Sequence, residues 1–339
     1  MKKPFGVRAD GQQTYLYTIS GDGVTAEISD HGATLVKLFV SDSKGCAGDV
    51  ILGFDHPDDY TQSGTFFGAT VGRNANRVGG AQFVMNGKTY HLDPNDNEVN
   101  NLHSGFDPYK NRLWQVVEHT AGSIKLRLDS PDGDQGFPGN AVIYVTYTLK
   151  GRDLCIVYDA TCDQDTVFNM TNHTYFNLAG HEKPELAMDQ VLTMPATFFN
   201  PDDALSIPTG ELRSVEGSPM DFREGKPIGR DVNADYDALN LQGGYDHNFE
   251  AKGEVCATVF HPATGRTMEV LTDCPGVQFY CGNFLEGEKG KNGVSYCKRG
   301  GICLETQFLP DSVNHPEWQQ PFTKAGQPYH SETVYRFSW

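Results

Sequence analysis

In the stretch SIKLRL, residues 123–128, apolar and polar side chains alternate one by one. Successive side chains of a β-strand point to opposite faces, so the pattern fits a strand with one buried face and one wet face; a helix, with its period of 3.6, does not present it. VIYVTYTL (142–149) and LCIVYDA (154–160) read as two further strands, and KGRD between them reads as a hairpin loop. FVMNGKTYHL (83–92) sets Asn86-Gly87 between two strand-like runs, a dipeptide suited to the positive φ angles of a tight hairpin. VYRFSW (334–339) reads as a last strand. No stretch sustains helical periodicity beyond a couple of turns. The 37 glycines and 18 prolines fall mainly at turn-like breaks such as GFPGN and NPDDALSIPTGE, and no linker, repeat or shift in composition divides the chain. The expectation is an all-β fold, one large antiparallel β-sandwich, with residues 1–339 forming a single domain.

A chain of 339 residues has ample length for a core, and its 38% hydrophobic and 11% aromatic content is that of a folded globule. The formal net charge of −17 opposes non-specific binding to nucleic acid or to an anionic membrane. Two lysines open the sequence, but no apolar run follows them, and no stretch has the length of a membrane span. The eight cysteines are scattered with no C-x-x-C pair, and several sit in strand-like runs, so they read as reduced and mostly buried. The sequons at Asn169 and Asn172 would matter only in a secreted chain. A cytoplasmic protein with no obligate protein partner is expected.

Several chemistries lack their motifs. There is no G-x-x-x-x-G-K-[ST] loop for a nucleoside triphosphate, and VGRNANRVGG lacks the G-x-G-x-x-G spacing of a dinucleotide site. DSPDGDQG resembles the start of a calcium loop, but counting from Asp132 places Gly136 at position 5 and Ile143 at position 12. Neither H-E-x-x-H nor G-x-S-x-G occurs, and the histidines are spread along the chain. Neither metal nor cofactor is expected.

Five separated segments combine ionisable groups with turn or strand chemistry. NANRVGG carries Asn76 and Arg77 on a loop entering a strand; NNLHSGF carries His103; GGYDHNF carries Asp246 after a glycine pair. NMTNHTYFNLAGH sets His173 in a strand-like run that stops at Gly180, and GICLETQFLP sets Glu305 among apolar neighbours. Taken singly, each has a structural explanation: a surface arginine, a turn aspartate, a packing histidine, an edge-strand glutamate. Glu305 stands apart, because a carboxylate between Leu304 and Phe308 is expensive to bury unpaired.

Together these segments resemble the aldose 1-epimerase (galactose mutarotase) family. The motifs GATVGRNANRV, NLHSG, DGDQGFPGN, NMTNHTYFNLAG, GYDHNF, QFYCGNF and LETQFLPDSVNHP occur in the family's order over nearly the whole chain. The resemblance implies the family's large antiparallel β-sandwich and the interconversion of the α and β anomers of a free aldohexose such as galactose or glucose. It also implies residue roles: Glu305 as base at the C1 hydroxyl, His173 as acid at the ring oxygen O5, and His103 beside them as a binding residue that assists at O5. Arg77 and Asp246 would hold sugar hydroxyls, Asn76 and Gln278 would add contacts, and Phe279 would give the sugar an apolar platform. Asn172 is expected to orient or support and not to react. Activity should fall in acid as the carboxylate protonates and in base as the imidazole loses its proton. Three rivals remain: a hexose-6-phosphate 1-epimerase, for which the nearby cations are Arg73, Arg77, Lys110 and Arg112; a non-catalytic carbohydrate-binding protein; and a glycosidase using Asp246 with Glu305.

Overall fold

Three antiparallel sheets account for most of the molecule, and the computed structural model describes residues 1–339. The first sheet is a meander of Lys2–Val7, Gln13–Ser20, Val24–Ser29, Leu35–Ser41 and Ala47–Asp49 in sequence order. The second has nine strands. Ser123–Ser130, Ala141–Lys150 and Asp153–Cys162 lie side by side, and the closing strand Tyr329–Ser338 inserts between Asp153–Cys162 and Thr267–Thr272. Ala141–Lys150 and Asp153–Cys162 pair in unbroken register through the Gly151-Arg152 turn, and each buries alternate residues. The alternation read in SIKLRL thus marks a strand with one face on the core. Asn86 and Gly87, with φ of 54° and 76°, form the tight turn between Gln82–Met85 and Lys88–His91.

The core joins the sheets: Ile19 and Leu38 of the first, Ile124 and Tyr147 of the second, and Phe249, Phe279 and Leu304 of the third belong to one apolar cluster. The helices Pro57–Gln62 and Asp237–Gln242 are six residues each. No helix is long and apolar enough to cross a membrane. All eight cysteines are free; five are buried, and Cys46 and Cys297 are exposed. Asn169 and Asn172 of the two sequons are buried, so neither offers its amide to a modifying enzyme.

The third sheet, with Asp246–Glu250, Gly276–Tyr280 and Cys303–Gln307 as its centre and one edge, carries the polar cluster. Beside it runs the short ladder of Thr171–His173 against Ala69–Val71. The strand expected around His173 is therefore only three residues long. His173 is the last of them, and the chain leaves the ladder at Thr174. What holds this segment is Gly68. Its N–H donates to the His173 carbonyl at 3.0 Å, and its carbonyl accepts from Leu35 N–H at 2.9 Å and from Asn172 Nδ2 at 3.1 Å. Asn172 also donates to Tyr147 Oη at 3.1 Å, which makes it a support, as expected from the sequence.

Gly68 has φ of 63°, and a Cβ there would lie 2.0 Å from the Leu35 carbonyl oxygen. Gly68→Ala should therefore lower stability by about 2–4 kcal/mol, combining left-handed strain with a backbone clash. Thermal unfolding checks this, and a Tm unchanged from the parent would show that the junction yields freely.

Candidate active site

Alternation within the third sheet decides which side chains meet. Glu305 lies opposite Gln278, and Gln278 opposite Asn248; two rows along, Cys303 lies opposite Tyr280, and Tyr280 opposite Asp246. These two rows share the polar face. The intervening row, Leu304, Phe279 and His247, faces the other way.

The polar face floors a cavity of about 340 Å³, which Asn76, Arg77, His103, His173, Asp246 and Glu305 all line. Six of the eight residues expected from the sequence thus converge there from five separate segments. Gln278 is the seventh: it lies beneath the lining and donates through Nε2 to Asp246 Oδ1 at 2.8 Å. Phe279 is a correction. It is fully buried among Phe222, Tyr245 and Phe249 in the core, because its register is one residue out of phase with Gln278. The aromatic surfaces at the cavity are Phe66, Tyr175, Tyr280 and Phe284. Tyr280 follows from the same alternation, since a site-facing Gln278 puts residue 280 on its face. No short-range signal marks Phe66 or Phe284.

His103 and Asn76 are locked together by their backbones. Asn76 N–H donates to His103 Nδ1 at 3.2 Å, and His103 N–H donates to the Asn76 carbonyl at 3.0 Å. Both residues adopt left-handed backbone, φ 58° at Asn76 and 50° at His103, strain of the kind that surrounding structure must hold at working sites. With Nδ1 accepting, neutral His103 carries its proton on Nε2. Arg77 is clamped by Asp96, whose Oδ2 lies 2.8 Å from Nε. Asp96 gave no signal in the sequence, because its partner is 19 residues away across a loop.

Glu305 is 2% exposed and His173 7%. His173 Nε2 and Glu305 Oε1 stand 3.6 Å apart. Burial pushes the Glu305 carboxyl well above the usual carboxylate range and the negative charge of Asp246 pushes it further, while Arg77 opposes. Burial holds the His173 imidazole below its ordinary range, among the rings of Tyr175, Phe66, Tyr280 and His103. Asp246 is also raised by burial, offset by Arg77 and by the hydrogen bond from Gln278. Glu305 Oε2 and Gln278 Oε1 are buried with no hydrogen-bond partner in the protein. Ring nitrogens of His103 and His173 and a Glu305 oxygen lie within 4.8 Å of one another, which makes them the residues that could approach a single ion.

A deep polar cavity on a β-sandwich, walled by aromatic rings and holding an adjacent carboxyl and imidazole, has the form of an enzyme site for a small polyhydroxylated molecule. Comparison with known proteins gives the family. The aldose 1-epimerase family model matches residues 15–336. Galactose mutarotase from Mus musculus is 43% identical over 327 residues, covering 95% of this chain and 93% of the relative. Aldose 1-epimerase from Escherichia coli strain K12 is 39% identical over 337 residues, covering 97% and 96%. Among solved structures, an aldose epimerase homologue from C. elegans superposes with a TM-score of 0.89 at 32% identity, covering 96% of this chain and 99% of that one. The chain belongs to the aldose 1-epimerase family, a family of isomerases.

The raised carboxyl makes a prediction about stability. A folded-state pKa above the unfolded value of about 4.3 means that, as pH rises through 4.3, the unfolded chain releases a proton that the folded chain retains. That difference disfavours the folded state increasingly until pH reaches the folded pKa. Glu305→Gln removes the penalty, so its Tm should gain on the parent's by a margin that widens as pH rises above about 4.3. A Tm difference that stays constant over that range would contradict the raised carboxyl.

Proposed function

We propose that this protein is a mutarotase of free aldohexoses, with Glu305 and His173 as its proton-transfer pair and residues 1–339 as one catalytic domain. The observation that carries the reading is the 3.6 Å approach of a buried carboxyl to a buried imidazole in a sugar-sized cavity. The hemiacetal chemistry asks for this closeness. The C1 hydroxyl and the ring oxygen O5 are bonded to the same carbon, so the base for one and the acid for the other must be neighbours. Transfer of the shared proton from Glu305 to His173 gives the carboxylate–imidazolium form, from which Glu305 accepts the C1 hydroxyl proton while His173 protonates O5; the C1–O5 bond breaks, the open-chain aldehyde forms and both groups are left neutral. Rotation about C1–C2 presents the other carbonyl face. The C5 hydroxyl then adds to C1, His173 takes back its proton, and Glu305 returns one to the carbonyl oxygen. Nothing is gained or lost overall. Arg77, Asp246 and the orphan oxygen of Gln278 are the groups for sugar hydroxyls, and the rings of Tyr280 and Phe66 offer apolar walls.

The proton inventory differs from the sequence-based expectation. With Glu305 raised and His173 lowered, burial favours both neutral forms and the one proton the pair shares rests on Glu305. The acid limb of kcat/KM then reports a second proton arriving on His173, and the alkaline limb reports loss of the last proton, from Glu305. The limbs are exchanged relative to a simple carboxylate–imidazolium scheme because burial favours the neutral form of each group.

The phosphorylated-sugar rival loses its cations. Arg73 is spent on Ser130 Oγ, Thr166 Oγ1 and the carbonyls of Pro138 and Gly139. Lys110 Nζ donates to the carbonyls of Tyr60 and Ser63, and Arg112 grips Asp134. Arg77 is the one lysine or arginine lining the cavity, which three carboxyl side chains, Asp246, Glu288 and Glu305, also line.

Polarimetry of freshly dissolved α-D-galactose and α-D-glucose tests the function. Protein dialysed against a chelator should accelerate the drift of rotation with no nucleotide or metal added. Glu305→Gln and His173→Asn should each slow turnover by on the order of 10²–10⁴-fold while remaining folded. Either variant turning over near the parent rate would remove that residue from the chemistry.

Arg77→Ala and Asp246→Ala should act mainly on KM, with some loss of kcat from misaligned substrate. Steady-state kinetics unchanged in both variants would take these residues out of the binding site.

A further inference from the structure

A second cavity, of about 300 Å³, shares no residue with the first. The strands Leu35–Ser41 and Ala47–Asp49, the segment 179–183 and the turn before Thr267–Thr272 all contribute to its lining. Three cations are among the lining residues: Arg266, Lys37 and Lys183. Arg266 is 3% exposed, and every hydrogen bond of its guanidinium goes to a backbone carbonyl. Nε donates to Val40 at 3.1 Å, Nη1 to Leu178 at 2.9 Å and Nη2 to Cys46 at 3.2 Å. A guanidinium has five N–H donors, so one on each terminal nitrogen is left over. Asp42 supports its charge only from beyond bonding distance. Lys37 is half-buried and Lys183 exposed, and neither ammonium group bonds to the protein.

The carboxyls of the same cavity are differently placed. Asp49 is neutralised by the buried Lys291, at 2.6 Å. Asp42 accepts the N–H groups of Lys44 and Cys46 at 2.9 and 2.8 Å, and Glu182 is exposed. With Asp49 paired, three cations share the cavity with two carboxylates, in a chain whose acids outnumber its lysines and arginines 44 to 27. The cations that a phosphate needs, absent from the sugar-sized cavity, are gathered here.

We propose that this second cavity is a phosphate-binding site, separate from the sugar site, for inorganic phosphate or a small phosphomonoester. Arg266 meets two phosphate oxygens through its two spare N–H groups, one on each terminal nitrogen, and Lys37 and Lys183 neutralise the remaining charge. A carboxylate ligand would satisfy Arg266 and leave both lysines unpaired, whereas a phosphate dianion engages all three. The guanidinium is set in place before any ligand arrives. Its Val40 and Cys46 bonds tie it to the first sheet, and Leu178 belongs to a segment held by Asn177 N–H to the Val50 carbonyl at 2.8 Å and by His181 N–H to the Asp49 carbonyl at 2.9 Å. A donor fixed in this way loses little entropy on binding.

Calorimetric titration of the protein with inorganic phosphate at constant ionic strength tests the site, with amide ¹H–¹⁵N spectra of the same titration to locate it. One phosphate should bind saturably, and shifts should concentrate at Gly48, Gly180, His181 and Arg266 while His103 and His173 stay still. Lys37→Ala combined with Lys183→Ala should weaken binding by on the order of 10-fold and leave Tm near the parent's, since neither lysine holds any protein group. Arg266 is kept intact, because its carbonyl bonds belong to the fold. Glycerol 3-phosphate, which has no anomeric centre to draw it to the first cavity, separates the two sources. Binding tighter than inorganic phosphate assigns the site to a phosphomonoester; equal or weaker binding assigns it to the free ion. The proposal is overturned by a titration with no saturable heat, by shifts at His103 and His173 in place of the second cavity, or by a double variant that binds phosphate as the parent does.

Discussion

The burial of one carboxyl group organises this molecule's chemistry. Glu305 occupies the middle of a strand in which Leu304 packs into the core, so alternation sends the Glu305 side chain out on the polar face. The side chain is 2% exposed, and a carboxylate shielded from water is disfavoured unless other charges support it. Arg77 supports the ionised form; Asp246 opposes it; His173 stands close enough to exchange a proton. The result is a pair whose two one-proton states carry the same net charge. A reaction that passes a proton in at one oxygen and out at another on the same carbon, then reverses, draws on both states in turn.

Holding that pair requires a rigid frame, and the frame is mostly backbone. His173 ends a three-residue ladder tied through Gly68 to the first sheet, while Glu305 is fixed by pairing across the third sheet. Two elements of different sheets therefore bring acid and base together, and neither needs a long side chain to reach. The Asn76–His103 pair, with His103 directly beside His173, and the Arg77–Asp96 clamp fix further side chains of the cavity. Burial of His173 among aromatic rings disfavours the imidazolium form.

Much of this was legible in the chain. Alternation in 123–128, 142–149 and 154–160 marked real strands of the nine-stranded sheet, and Asn86-Gly87 marked a real hairpin. Asn76, Arg77, His103, His173, Asp246 and Glu305 stood out as ionisable or amide groups in short turn and strand segments, but it was the family resemblance of those segments together that made them a site, and the fold gathers them at one cavity. Phe279 was misassigned for a simple reason: its neighbour Gln278 faces the site, and a strand cannot turn two successive residues the same way. Asp96 and Phe66 were invisible because their roles depend on contacts formed only after folding, with Arg77 and His103. The polarity of the proton pair was also beyond the sequence. Which group holds the proton is decided by burial and by the charges of Asp246 and Arg77, and both are properties of the assembled site.

The central claim is that the cavity keeps a neutral carboxyl beside a neutral imidazole. Titration of the free protein labelled with ¹³C at the glutamate carboxyls and ¹⁵N in the histidine rings, with Glu305→Gln and His173→Asn for assignment, measures it directly. Glu305 should titrate well above 4.5, and His173 should stay uncharged down through pH 6.5 and below. A Glu305 that ionises at or below 4.5 beside an imidazolium persisting at neutral pH would contradict the account.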